Sequence, residues 1–512
     1  MMQLISSTLS WQASGLSAKL VVDEPGSKPS DQPLKLSLSI IPGTSDSKQK
    51  PAGERVRCRV RLRLPSWAAT DGKPPVASID SPYQGTNKLP PPSSSSPILE
   101  VDRAWRKGEA LQLSLPMNLR IEPLADTRPQ FAHLKAILAG PLLLAGLTHG
   151  PRTIIVHDAN IPVDKWLEPV PASASTQLRS LLSVPDTPKG ASGYISAGPR
   201  GLSHVAGPLP AKTAHDASAA TWRVNCVPHP HTCAKSTAFA LEHFEQPGAF
   251  LSLGNATTAT TLPLRLLQMG AGEQPPDSSL FVPIRDGVEE AEKAMASAAL
   301  GKGVSLAPRS KPDARLCVDK SSGQLFVLLG DPSGTTTFLC RFRLAPPAAS
   351  YSSLSMWYRP QRASSSSGSA PLAGRGFLFL PLKDIVDQVY SVYFHIVSDA
   401  SQAPLECSPY REKWADEEAD TPLMPAASRD LARRLVTTKS AKWAHVKGLE
   451  FRSQGELKTP WGHGKWGVLI DKPGVAFADF GGAMHEITFE RWPVFISTRC
   501  GDGDVVRGSM DV

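Results

Sequence analysis

The chain has 512 residues, with 55 Lys and Arg against 47 Asp and Glu, a formal net charge of +8. Hydrophobic residues make up 41% and charged residues 20%, a balance that excludes a wholly disordered chain and supports several folded domains. No apolar run reaches the roughly 20 residues a membrane-spanning helix needs, so no membrane partner is expected, and 48 Pro with 39 Gly favour β-domains on loose connections over a helical protein.

The opening MMQLISSTLSWQASG has no basic region ahead of a long apolar core, so no signal peptide is expected. Short alternating strands follow at Ala18 to Val22, Leu34 to Ile41 and Val56 to Leu64, as for antiparallel sheet with one wet face. In the last of these, Arg55, Arg57, Arg59, Arg61 and Arg63 alternate with Val56, Cys58, Val60 and Leu62. A solvated basic face is favoured there over a patch for nucleic acid or acidic glycan, and no nucleic-acid partner is expected. Thr70 to Pro97, with KLPPPSSSSP, reads as a flexible insertion. Trp105 followed by Lys107-Gly108 reads as a tight turn into the strand of Leu111, Leu113 and Leu115, which Pro116 ends because it has no amide donor. AILAGPLLLAGL, Ala136 to Leu147, reads as a buried strand pair kinked at Gly140-Pro141.

The fold class expected is all-β: sandwich domains over 1–170, a linker over 171–218, a trefoil-like domain over 219–398, a linker over 399–440 and a small β-rich domain over 441–512. The first linker is rich in Ser, Ala, Pro and Gly. The second holds an acidic cluster from Asp416 to Asp420 and a short helix expected over Ser428 to Leu435.

The succession RLRLPSWA (Arg61 to Ala68), WRKGEALQLSLPMNLR and AILAGPLLLAGL resembles the non-catalytic β-rich region of the β-L-arabinofuranosidases of glycoside hydrolase family 127. LEHFEQPGAFL, SSLFVPIRDG and FLFLPLKDIVDQVYSVYF resemble segments of an AbfB-type arabinose-binding β-trefoil, carbohydrate-binding module family 42. In the enzymes the first segments follow a helical barrel carrying a zinc-held cysteine nucleophile. Met1 stands 60 residues before Arg61, so that barrel is expected to be absent, and no two cysteines here are adjacent. The resemblance therefore transfers no catalytic residue, metal or cofactor. It implies a binding role toward arabinose-containing polysaccharide or glycoprotein glycans, in the extracellular space or cell wall. An active arabinofuranosidase using a separately supplied catalytic domain and an interaction scaffold with decayed sugar sites are the alternatives.

Sugars are held by aromatic faces against C–H surfaces and by polar side chains on hydroxyls. The resemblance puts the trefoil's binding Asp at Asp387, with Tyr390 and Tyr393 beside it, and a second at Asp286 in IRDG. The first lobe departs, with Ser252 and Leu253 where the family would show a His. Strict alternation sets Tyr390 and Tyr393 on opposite faces, one of them in the core. In WGHGKWG, Trp461 and Trp466 with His463 form a possible stacking loop. Turn-forming Asp, core Tyr and minor-core Trp are the structural alternatives at these positions. A glycosidase's paired carboxylates are not singled out among Glu122, Asp126, Glu242 and Glu245, and Asp126 beside Arg128 reads as an ion pair or turn cap. Cys226-Val-Pro-His-Pro-His-Thr-Cys233 is open to metal binding, a disulfide or free thiols.

Overall fold

The computed structural model describes residues 6–11, 16–23, 33–42, 55–68, 74–90, 98–126, 134–148, 154–156, 161–185, 192–198, 201–207, 213–227, 236–254, 260–284, 303–330, 337–360, 375–398, 412–414, 426–438, 440–469, 474–481, 483–500 and 504–511. The fold is all-β.

The N-terminal unit is a six-stranded antiparallel sheet in the order Ser7–Trp11, Leu16–Val22, Leu34–Pro42, Ala110–Leu115, Val76–Ser81, Gly85–Lys88. Its central register sets Leu34 opposite Leu115, Leu36 opposite Leu113 and Leu38 opposite Leu111, so the alternating leucines meet on one face. A two-stranded ribbon of Val56–Arg63 and Ile98–Trp105 lies against that face through Val60, Leu99, Val101 and Trp105. Gly108, at φ 90°, forms the turn after Trp105.

The next sheet has nine strands drawn from two distant stretches. Along it run Ile154–Val156, Tyr393–Val397, Leu134–Ala139, Leu142–Leu147, Phe377–Pro381, Met356–Tyr358 and Leu167–Pro169. Phe377–Ile396, expected as the last trefoil segment, is therefore sheet partner to AILAGPLLLAGL: Ala145 pairs with Leu380 and Ala136 with Tyr393. Phe377, Phe379 and Phe394 pack with Ile137 and Leu144 in one core.

Between Leu167–Pro169 and Met356–Tyr358, which pair with each other, the chain makes an inserted unit. Six strands close a ring: Leu178–Ser183, Trp222–Val227, Ala238–His243, Leu280–Ile284, Ser305–Pro308 and Phe342–Ala345. The bridge Val304 to Phe342 joins the last two. Three hairpins hang from it: Gly193–Gly198 with Gly201–Ala206, Ala249–Leu253 with Thr261–Gln268, and Ala314–Asp319 with Leu325–Leu329. Leu181, Phe239 and Leu306 on alternate ring strands, and Trp222, Phe281 and Phe342 on the others, fill its centre in threefold fashion. The stretch 171–218 is thus no linker where described. Among its large apolar residues, Leu181 and Ile195 point into the ring's core, and Leu178, Leu182 and Tyr194 are buried in adjoining clusters.

The C-terminal unit is an eight-stranded up-and-down antiparallel barrel of Ser440–Trp443, Val446–Phe451, Glu456–Thr459, Gly462–Leu469, Val475–Phe480, Ala483–Arg491, Val494–Arg499 and Val505–Asp511. Each strand pairs with the next, and the last returns to the first. Side chains fill a barrel of this size: Trp443, Phe451, Trp466, Ile487 and Phe495 do so here. The expected short helix runs Ala426–Thr437 and sends Leu431, Ala432 and Leu435 into the same core.

Candidate functional site

Trp461 stands in the turn between Glu456–Thr459 and Gly462–Leu469, 59% exposed. Its ring lies parallel to Phe480, 6° between planes and 5.9 Å between centroids. Phe480 in turn stacks on the buried His485 at 4.9 Å and 14°. Trp443 braces both from the side, edge-on at 4.9 Å to Phe480 and 5.2 Å to His485. His485 Nδ1 lies 3.2 Å from the Ser497 hydroxyl, which fixes the bottom ring of the stack. Glycine at 464 is required by close approach: a Cβ there would overlap the Asp479 carbonyl and come within 2.9 Å of Phe480 Cβ. The result is a rigid, outward-facing indole over an aromatic column.

Polar groups line the outer face of the strands that lead to and from the Trp461 turn. His463 Nδ1 is 2.8 Å from Glu456 Oε1. Glu450 accepts from Lys458 at 2.8 Å and Arg452 at 2.7 Å, and those two cations hold its carboxyl below the usual carboxylate range. Trp466, expected as the partner of Trp461, points the other way. It is fully buried, donates Nε1–H to the Arg452 carbonyl at 2.7 Å and packs edge-on to Phe451 at 5.4 Å. The reason is the period of two within Gly462–Leu469, which turns Gly464, Trp466 and Val468 inward.

Tyr390 and Tyr393 lie in the nine-stranded sheet, and Asp387 in the connection that leads from Phe377–Pro381 to them; none of the three is on the ring. The hairpin turning at Gly140-Pro141 opens toward its ends, and residues 390–397 enter the gap: Leu147 pairs with Tyr390 and Ala136 with Tyr393. Leu147 and Ala136 share a face in the hairpin register. The bend at Val392 interrupts the alternation, so both tyrosines also share that face. They are 44% and 40% exposed, with Val386 and Val389 exposed beside them. Neither is core, contrary to the strict alternation expected. Asp387 is exposed, and its Oδ1 accepts the His215 backbone N–H at 2.9 Å, at the start of the helix Ala214–Ala219. It ties that helix to the sheet. Asp286 lies outside the described residues.

A third cluster is buried and was not legible as a unit. Glu242 accepts from Asn225 Nδ2 at 2.7 Å, from the Gly248 N–H at 2.7 Å, from Arg359 at 3.4 Å and from Arg223. Both guanidiniums lie over Trp357, at 4.4 and 4.7 Å. Burial, with the like charge of Arg359, lowers Arg223 to about 10, and burial raises the Tyr351 phenol to about 12. Arg223, Asn225 and Glu242 come from the ring, Trp357 and Arg359 from the sheet. Glu242 is therefore the carboxylate of a joint between inserted unit and host sheet. The only sequence signal was the aromatic–cation run Trp357-Tyr358-Arg359, too short to reveal its distant partners.

Cys226 is disulfide-bonded, which answers the open question of its state; Cys233 lies outside the described residues. Cys317 is bonded to Cys340, Cys500 is also bonded, and Cys58 is free. Among the described residues, no group of three or more His, Cys, Asp or Glu is placed to hold a metal.

No protein-family model and no curated relative matches the chain. Among solved structures, the Haemophilus ducreyi cytolethal distending toxin aligns at 12% identity over 38% of this chain and 96% of its own, with a TM-score of 0.20. A chicken interleukin-1 hydrophobic cavity mutant aligns at 14% identity over 33% and 95%, with a TM-score of 0.21. A family 127 β-L-arabinofuranosidase from Geobacillus stearothermophilus aligns at 17% identity over 38% of this chain, with a TM-score of 0.20; the chain spans 25% of that enzyme chain. Likenesses at these scores identify no family and carry none of the argument that follows.

Proposed function

We propose that this is a non-catalytic glycan-binding protein that grips sugar rings on the free face of Trp461. The observation that carries the reading is the parallel stack beneath that indole. A tryptophan stacked on Phe480, which His485 and Trp443 hold in turn, loses little freedom on binding, and its open face suits the C–H side of a pyranose or furanose. Tyr390 and Tyr393, exposed on one face of a different unit, form a second contact surface. Glu456, His463 and Lys458 are placed to exchange hydrogen bonds with hydroxyls.

The ligand class we propose is arabinose-containing cell-wall polysaccharide or glycoprotein glycan. The three sequence motifs shared with arabinofuranosidase β-regions support that class. The six-stranded ring with three hairpins supports reading residues 178–345 as a β-trefoil. The disulfides at Cys317–Cys340, Cys226 and Cys500 support maturation in an oxidising, secreted compartment. Calorimetric titration of the whole chain with arabinan and arabinoxylan oligosaccharides tests the reading. Trp461→Ala is expected to weaken binding about tenfold, and release of free arabinose by the unmodified chain would contradict the non-catalytic assignment.

A further inference from the structure

The ribbon Val56–Arg63 with Ile98–Trp105 carries a charge pattern that neutral-sugar binding does not use. Its inner face is core. On the outer face stand Arg55, Arg57, Arg59, Arg61 and Arg63, all exposed. Residues two apart on a strand repeat at about 6.8 Å, so the row spans roughly 27 Å. The paired strand sets Asp102 opposite Arg59 and Glu100 opposite Arg61. Five positive charges against two negative leave three in excess on this face.

The two acids hold the arginines in place without covering them. Arg57 reaches Asp102 through Nε at 3.3 Å, and Arg61 reaches Glu100 through Nε at 2.7 Å. Arg59 lies between the acids, at 3.1 Å from Asp102 and 3.5 Å from Glu100. The Arg57 and Arg61 side chains remain 81% and 62% exposed. Arg55 and Arg63, at the two ends of the row, make no ion pair among the described residues. The other outward residues of the paired strand, Ala104 opposite Arg57 and Ile98 opposite Arg63, offer no ring on which a base would stack.

From this geometry we infer that the arginine row binds an extended acidic polysaccharide, one whose carboxylates recur along the chain, as in a polyuronate. A straight row of fork-shaped donors fits carboxylates on a linear polymer. The absent aromatic interleaving argues against single-stranded nucleic acid, which proteins hold by stacking. The disulfide-bonded cysteines argue the same way, toward an oxidising compartment where acidic glycans are the prevalent polyanions. This surface is separate from the Trp461 platform, and the two readings fail independently.

The test is binding of the full chain to polygalacturonate at about 50 and 200 mM salt, with neutral arabinan and a single-stranded DNA oligonucleotide run beside it. Polygalacturonate is expected to bind, with affinity falling roughly 20- to 40-fold across that salt range if all three excess charges pair with carboxylates. Arg55→Gln/Arg63→Gln removes two of the three excess charges without breaking an ion pair. It is expected to weaken polygalacturonate about tenfold, with arabinan binding and the thermal midpoint unchanged. Arg55→Lys/Arg63→Lys, which keeps the charge, is expected to retain most of the affinity, and Trp461→Ala all of it. No polygalacturonate binding at low salt, or equal binding by the glutamine variant, would overturn the inference. Tighter binding of DNA than of polygalacturonate would overturn the choice of partner.

Discussion

Replacing Glu242 by Gln probes the joint that fastens the inserted unit to its host sheet. Glu242 is 2% exposed, and the Arg223 and Arg359 side chains that share it are themselves only 11% and 23% exposed. Glutamine keeps the shape and one acceptor oxygen for the Gly248 amide. It leaves two like charges over Trp357 with no carboxylate to share. Removing one partner of a buried ion pair costs about 3–5 kcal/mol, because the remaining charge stays desolvated. At roughly 2–4 °C per kcal/mol for a unit of this size, the unfolding midpoint should fall by about 6–20 °C. Calorimetric melting of the whole chain measures the midpoint. A double-mutant cycle with Arg223→Met isolates the pair, since two neutral side chains restore balance. The double variant should melt above Glu242→Gln alone, with a coupling energy of at least about 1 kcal/mol. Additive effects, or a loss under about 1 kcal/mol for Glu242→Gln, would show that the cluster is solvated and holds nothing together.

Other outcomes follow from the same structure. Gly464→Ala should cost the barrel about 1–3 kcal/mol in chemical denaturation, because the added methyl meets the Asp479 carbonyl and Phe480; an unchanged midpoint would mean the two strands separate easily. Cys317→Ala/Cys340→Ala opens a crosslink 23 residues apart and should cost roughly 3 kcal/mol by denaturant titration. Asp319 is drawn down to about 2 by the Ser321 hydroxyl and the Ser322 and Ser321 amides, from an ordinary 3.8. Its folded value is depressed, so its contribution is present above about pH 4 and is lost as pH falls toward 2. A carboxylate NMR titration should find its midpoint near 2, and a midpoint at 3.8 would remove those hydrogen bonds from the account.

Local patterns were legible where neighbours in sequence are neighbours in space. Leu34 to Ile41 and Leu111 to Leu115 announce strands by alternation, and their shared register follows from needing one buried face. The Gly140-Pro141 kink marks a hairpin turn for the same reason. What alternation cannot supply is the distant partner. The strand Leu142–Leu147 is completed by Phe377–Pro381, more than two hundred residues later, so the last aromatic run read as part of the nearer domain. Leu178–Ser183 lies among small residues that read as linker, yet six-strand closure turns Leu181 into the ring and buries Leu178 and Leu182 in neighbouring clusters. At the site, the period of two correctly separates Trp466 from its neighbours but does not say which side is the barrel's interior. Tyr390 and Tyr393 were misassigned because one bend, at Val392, reverses the face. Nothing in GVAFADFGGAMHEI marks Phe480 and His485 as the floor beneath Trp461.

The most direct test of the central claim is calorimetric titration of an arabinan oligosaccharide into the full chain and into Trp461→Ala. The account predicts saturable binding to the unmodified chain, about a tenfold loss in the variant, and an unchanged thermal midpoint, because Trp461 lies outside the barrel core. Equal affinity in both proteins, or no binding to the unmodified chain, would contradict it.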